Sequence, residues 1–178
     1  MRVLIAGGGL GGLSLALSLA AAGIDAVIYE AAPELRSVGL GINVLPHACR
    51  ELIELGLGER LEQSGIRTEA LMYANRHGQE IWREPRGKFA GYNWPQYSIQ
   101  RGALQMLMYD AVVARVGANA VQVGRRVARA ESIDGRVKVW LQDVNGKDCG
   151  AVTGDILVGC DGIHSAVRAQ FYPDEGPP

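Results

Sequence analysis

The chain has 178 residues, 24 of them glycine, with 18 Lys+Arg set against 19 Asp+Glu. This length suits one domain with a real hydrophobic core. The near balance of charge argues against a nucleic acid or an anionic membrane surface held by bulk electrostatics.

In chain order, residues 2–6 (RVLIA) form a short apolar run of the kind a buried parallel strand has. No basic segment precedes it, so no secretory leader is expected. Residues 10–22, rich in Leu and Ala, predict a helix that Gly23 stops. The apolar stretch 13–22 inside it is too short to cross a bilayer. Residues 25–29 repeat the apolar pattern, and strand, helix and strand within about 30 residues make a βαβ unit. Residues 46–56 predict a helix opened by Pro46 and closed by Gly56. Residues 68–84 alternate apolar and polar on either side of His77-Gly78 and predict a hairpin. Residues 102–116 predict a second long helix.

Three further segments, 125–133, 136–143 and 149–159, are punctuated by Asp134-Gly135 and Asn145-Gly146. Such pairs tolerate positive φ, so the segments predict a three-stranded antiparallel meander. Its last strand is expected to run straight into DILVGCDGIHSAVR, residues 155–168, which reads as a short buried strand, an Asp-Gly turn and a helix with a basic last turn. Only the tail 172–178 (YPDEGPP) has the composition of a linker.

Chemistry concentrates first in AGGGLGG. Gly7, Gly9 and Gly12 fit G-x-G-x-x-G between a strand and a helix. The first glycine permits the tight turn, the second lets backbone N–H groups approach a pyrophosphate, and the third lets helix pack close on strand. The helix N-terminus adds unpaired donors and the positive end of its dipole. Glu30 closes the second strand about 20 residues further on, where an acid accepts hydrogen bonds from ribose hydroxyls. Its charge opposes a 2′-phosphate at the same place.

This much predicts a dinucleotide without saying which. Cys49, Cys149 and Cys160 are odd in number and lack metal spacing, and read as reduced thiols of a cytoplasmic protein. His47, His77 and His164 are scattered, and no His/Cys/carboxylate cluster has metal spacing. Ser14, Ser98 and Ser165 sit in no nucleophile elbow. No metal and no catalytic protein side chain are therefore expected. Trp82, Tyr92, Trp94 and Tyr97 either line a flat substrate pocket or pack in a core.

Ala16 and Gly23 extend the glycine pattern to one that resembles the fingerprint of FAD-binding proteins, whose first half NAD dehydrogenases share. RSVGLGINVLPHA (residues 36–48) is similar to R-x-x-G-x-G-I-x-L-x-P-N-A of the FAD-dependent aromatic hydroxylases, the single-component flavoprotein monooxygenases typified by para-hydroxybenzoate hydroxylase. YSIQRGALQMLM (97–108) is similar to their R-x-x-L helix start, and residues 155–168 to their Asp-Gly motif. The match runs in family order over the whole chain. Within the family, PQYSIQRGALQ and VGCDGIHSAVR look closest to the phenazine-modifying hydroxylases. His47 stands where the family has Asn. The family's later Gly-Asp motif, which holds the ribityl chain, and most of its substrate domain are absent, so the chain is expected to be a truncated N-terminal portion.

The resemblance implies an α/β fold: a Rossmann-like FAD/NAD(P)-binding domain, a three-stranded antiparallel β-meander and part of an inserted β-rich substrate region at 66–100. It implies a cofactor-binding set of Gly7, Gly9, Leu10, Gly12, Glu30, Ala31, Arg36, Gly41, Ile42, Arg101, Gln105, Val127, Asp161 and Gly162. Gly39 and Gly41 are expected to hold a strained backbone, with Gly41 and Ile42 near the flavin. Arg101 begins a helix, where the dipole disfavours a cation, so a pyrophosphate is its natural partner. Val127 is expected to offer its backbone to adenine, and Asp161 to order the loop around the pyrophosphate rather than face it.

The implied activity is hydroxylation of an aromatic, phenazine-like substrate with FAD, NAD(P)H and O2, through a flavin C4a-hydroperoxide. An NAD-dependent dehydrogenase also accounts for residues 1–30. A non-catalytic FAD-binding fragment stays open because of the absent segments. The chain alone is expected to bind FAD weakly and not to hydroxylate.

Overall fold

The computed structural model describes residues 1–176. Two compact units emerge, one built from Met1–Arg36 with the chain from Gln105 onward, the other from Ser37–Leu104. In chain order, β1 (Arg2–Ala6), α1 (Leu10–Ala21) and β2 (Asp25–Tyr29) open the first unit. The second unit holds β3 (Gly41–Val44), α2 (Pro46–Glu54), α3 (Gly58–Ser64), β4 (Ile66–Arg67), β5 (Ala70–Ala74), β6 (Glu80–Pro85) and β7 (Tyr97–Gln100). Helix α4 (Arg101–Val116) starts in the second unit and returns the chain to the first. There β8 (Val121–Gln122), β9 (Arg126–Ile133), β10 (Arg136–Gln142), β11 (Asp148–Gly154), β12 (Ile156–Gly159) and α5 (Ala166–Phe171) follow.

In the first unit, β1 and β2 are apolar because both faces of their sheet are covered; Val3 to Ala6 and Ala26 to Tyr29 are all buried. The sheet has the order β12-β1-β2-β8, and β1 pairs in parallel with both neighbours, Leu4 facing Val27 on one side and Leu157 on the other. Strands β9, β10 and β11 form the antiparallel meander. Its first turn has positive φ at both Asp134 (51°) and Gly135 (74°), as a type I′ hairpin demands. The second turn is closed by Asp143, whose Oδ1 accepts from the N–H groups of Asn145 and Lys147. The meander packs on the sheet through one apolar cluster: Leu4, Ala6, Val27 and Tyr29 from below, Val127, Ala130, Val139 and Leu141 from above.

The expected continuous strand over 149–159 is instead two strands in two sheets. The break falls at Asp155, whose N–H donates to Arg2 O at 2.9 Å while its Oδ2 accepts from Arg2 N–H at 2.6 Å. That exchange ends the antiparallel ladder and starts the parallel one. Strand β12 is also less buried than its apolar sequence suggests, because it is the sheet's edge; Ile156 is 45% exposed.

In the second unit, β7 lies between β3 and β4, with Ile42 opposite Ile99 and Ile66 opposite Ser98. The predicted hairpin is β5–β6. Asn75 orders its turn by accepting from His77 N–H and Gln79 N–H. Pro46 occupies the start of α2 and Gly56, at φ 73°, lies just past its end.

Candidate cofactor site

The turn between β1 and α1 is where the glycine pattern acquires a physical cause. Gly7 has φ 101°, and a Cβ there would lie 2.4 Å from Cys160 O. A Cβ on Gly12 would lie 2.0 Å from Gly7 O, so α1 sits on the turn at a distance only glycine allows. Gly9, by contrast, has nothing within 4 Å of a Cβ. It is the N-cap of α1, with no side-chain cap and no acidic residue in the first turn, where Leu10 begins the helix. Helix donors are thus free for an anion at the open side of the turn.

Two side chains hold this turn in place. Glu30 Oε2 accepts from Gly8 N–H at 2.6 Å, and Oε1 from Ala32 N–H at 2.8 Å. Gln105 is buried and donates from Nε2 to Gly8 O at 2.9 Å. Gly8 was not singled out by the fingerprint, yet both of its backbone polar groups are clamped by residues 22 and 97 positions away. Each carboxylate oxygen of Glu30 keeps a second lone pair for a ribose hydroxyl.

The Asp-Gly motif faces this turn from β12. Asp161 Oδ1 accepts from Ser165 Oγ at 2.6 Å, and Oδ2 from Ala166 N–H at 2.8 Å and Val167 N–H at 3.3 Å. Ser165 Oγ in turn accepts from Arg168 N–H at 2.9 Å. The carboxylate is therefore spent on the first turn of α5, and Gly162, at φ 81°, is left exposed. Burial, together with the neighbouring Asp161 charge, pushes the Cys160 thiol above its ordinary pKa.

Gly7, Gly9, Glu30, Ala31, Val127, Asp161 and Gly162 line one cavity of about 270 Å³ in the first unit. Cys160, Arg126 and His164 line it too. These three escaped the sequence reading, although each is within two residues of one that did not. The volume lies just under the roughly 300–1,000 Å³ of sites for drug-sized ligands, so it suits one end of a dinucleotide rather than the whole. An open glycine turn, an uncapped helix N-terminus and an acid at the end of β2 are the donor and acceptor set that a ribose–pyrophosphate needs. The residues present fit that group.

The remaining predicted residues are placed differently. Arg36 is exposed and ion-paired with Glu34. In the second unit, Gly39 has φ 117°, and the Arg101 side chain lies against it, Nε 3.0 Å from where a Cβ would be. Gly41 carries no such strain: its φ is not positive and nothing lies within 4 Å of a Cβ, because it starts a regular strand. Ile42 is half-buried in that strand. Arg101 N–H donates to Leu40 O at 3.0 Å, and its guanidinium has no protein partner among the described residues.

Comparison with known proteins agrees with this geometry. The family described as FAD binding domain matches residues 1–174. The chain is 47% identical over 174 residues to phenazine 1,6-dicarboxylic acid hydroxylase PhzS of Lysobacter antibioticus, covering 97% of this chain and 43% of that protein. It is 34% identical to 3-hydroxybenzoate 6-hydroxylase 1 of Aquipseudomonas alcaligenes, covering 99% and 44%. The crystal structure of Klebsiella pneumoniae HpxO complexed with FAD and uric acid superposes with a TM-score of 0.77 at 30% identity, over 96% of this chain and 41% of that one. The chain thus spans less than half the length of the relatives it matches. It belongs to the FAD-binding domain family, that of the FAD-dependent aromatic hydroxylases.

Proposed function

We propose that the whole protein is a cytoplasmic FAD-dependent monooxygenase that uses NAD(P)H and O2 to hydroxylate a small aromatic substrate of the phenazine type. The observation that carries this reading is the cavity in which the glycine turn, Glu30 and the Asp161-Gly162 turn meet. A dehydrogenase fingerprint accounts for the first two but not for the third.

When bound, FAD supplies the redox and oxygen chemistry. The chain's own part is binding. Gly9 and the N-terminus of α1 hold the pyrophosphate, with Leu10 at its side. Glu30 and Ala31 take the ribose, and the Val127 backbone takes adenine. Asp161 fixes the turn at Gly162 so that backbone, not carboxylate, meets the phosphates. Gln105 fixes Gly8. Assignment of Arg36, Gly41, Ile42 and Arg101 to FAD rests on the family pattern, as does that of residues 66–100 to a substrate region.

The test is made on the whole gene product. Aromatic substrate should stimulate NAD(P)H oxidation, and isotopically labelled O2 should place one labelled atom in the product. Hydride transfer to a nicotinamide with no bound flavin would overturn the proposal. The 178-residue chain by itself should bind FAD weakly and hydroxylate nothing, since it spans 43% of its hydroxylase relative.

A further inference from the structure

Helix α5 is tied down at both ends, and the tie at its far end has no part in the cofactor reading. At its start, Asp161 and Ser165 accept from the N–H groups of Ala166, Val167 and Arg168. Near its end, Gln170 reaches β9, 40 positions back in the chain. Its Nε2 donates to Ala130 O at 2.5 Å and its Oε1 accepts from Ala130 N–H at 3.0 Å. A primary amide carries an acceptor beside a donor. Gln170 therefore pairs with Ala130 as a residue of a neighbouring strand would.

That pairing identifies which backbone groups β9 turns outward. The strand lies at the edge of the meander, in the order β11-β10-β9. In an antiparallel pair, residues that exchange hydrogen bonds with the partner strand alternate with residues whose N–H and C=O point away from it. Ala130, opposite Val139, is of the second kind, because Gln170 takes both of its groups. In an unbroken ladder the next outward residue toward the start of β9 is Ala128. The ladder is broken there: Trp140 faces Arg129 but Leu141 faces Val127, so Ala128 is the extra residue of a bulge. Leu141 is two places along β10 from Val139, so its partner Val127 takes the outward setting instead. Val127 also lines the cavity proposed for FAD. The edge of β9 thus holds two like donor–acceptor pairs on either side of the bulge, one filled by a primary amide and one left at the cavity wall.

We propose that Gln170 is a positioning residue for base selection. By holding β9 at Ala130, it fixes the direction of the Val127 N–H and C=O across the bulge. That pair selects a base edge built like the Gln170 amide, with an acceptor beside an amino donor. Adenine has this edge, N1 beside its exocyclic amino group. Hypoxanthine has the reverse, an N1–H donor beside a carbonyl, which sets donor against donor and acceptor against acceptor. A ribose held at Glu30 keeps the base from turning over to undo the mismatch. This role rests on the FAD reading above, in which the Val127 backbone meets adenine.

The test is calorimetric titration of the native chain and of the variants Gln170→Leu and Gln170→Glu with ADP and with inosine diphosphate, which differ only at that edge. Gln170 is exposed, so both changes leave the core alone. The native chain should bind ADP about tenfold or more tightly than inosine diphosphate. Leucine makes neither bond to Ala130, and glutamate cannot donate to its carbonyl. Each variant should therefore weaken ADP about threefold or more while moving inosine diphosphate by less than about twofold. A merely structural Gln170 weakens both nucleotides alike, so an unchanged ratio of the two affinities in either variant would overturn the proposal. Equal affinity of the native chain for both nucleotides would overturn it too, while leaving the FAD reading intact. A native chain that binds neither nucleotide would overturn the FAD reading as well.

Discussion

Glu30 is placed to serve the fold and, in the proposed reading, the ligand. Its carboxylate already accepts two backbone N–H groups, from Gly8 and Ala32, so removing it loosens the turn as well as the proposed ribose contact. Glu30→Ala should weaken FAD by about 1–3 kcal/mol, the cost of buried hydrogen bonds left unmade. Fluorescence titration checks this, and an unchanged affinity would count against the ribose assignment.

The cysteines give a second handle at the same scale. Burial pushes the Cys49 thiol up to about 11, and it donates to Val44 O at 3.2 Å. It should resist alkylation at pH 8 in the folded protein, because the thiolate is the nucleophile. Cys160 lines the cavity proposed for FAD, so saturating FAD should slow its alkylation, whereas Cys149, on β11, should be indifferent to FAD. Mass spectrometry of the labelled peptides distinguishes the three. FAD protection of Cys149 but not Cys160 would place the ligand elsewhere.

Elements were legible in the sequence where one pattern covered one element. The βαβ start, the hairpin and the I′ turn at Asp134-Gly135 carry signals within a few residues of each other. Strands β3 and β7 do not. Each has four residues, and each is ordered by the other across more than 50 positions of chain. The same holds for β8, two residues long and paired with β2 across more than 90 positions of chain. The misread strand over 149–159 has no turn residues at its break, because the change of sheet is made by one side chain, Asp155.

That carboxyl is held below the ordinary Asp value, first by the hydrogen bond from Arg2 N–H and also by the Arg136 charge. A carboxylate with a lowered folded-state pKa stabilises above its unfolded value and loses that contribution as pH falls through the folded one. The melting temperature should therefore drop more steeply below about pH 4 in the native chain than in Asp155→Asn. Parallel profiles would remove Asp155 from the junction between the two sheets.

At the scale of the whole molecule, the fold class followed from the order of strand and helix patterns, but the division into two units did not. Nothing in composition marks residue 37 or residue 104, and α4 runs through the second boundary as one uninterrupted helix. The candidate site was legible wherever a backbone constraint selected the residue. Gly7 and Gly12 are required because a Cβ at either would collide with a backbone oxygen, that of Cys160 and that of Gly7. Residues that act through a long-range clamp, such as Gln105 on Gly8, were named from the sequence without their partner.

In the proposed reading, the first unit takes FAD rather than a nicotinamide dinucleotide. The direct test is equilibrium titration of the purified chain with FAD and with NAD, side by side and in competition with ADP. FAD should bind saturably though weakly and be displaced by ADP through the shared ribose–pyrophosphate site, and NAD should bind more weakly still. Tighter binding of NAD than of FAD would contradict it.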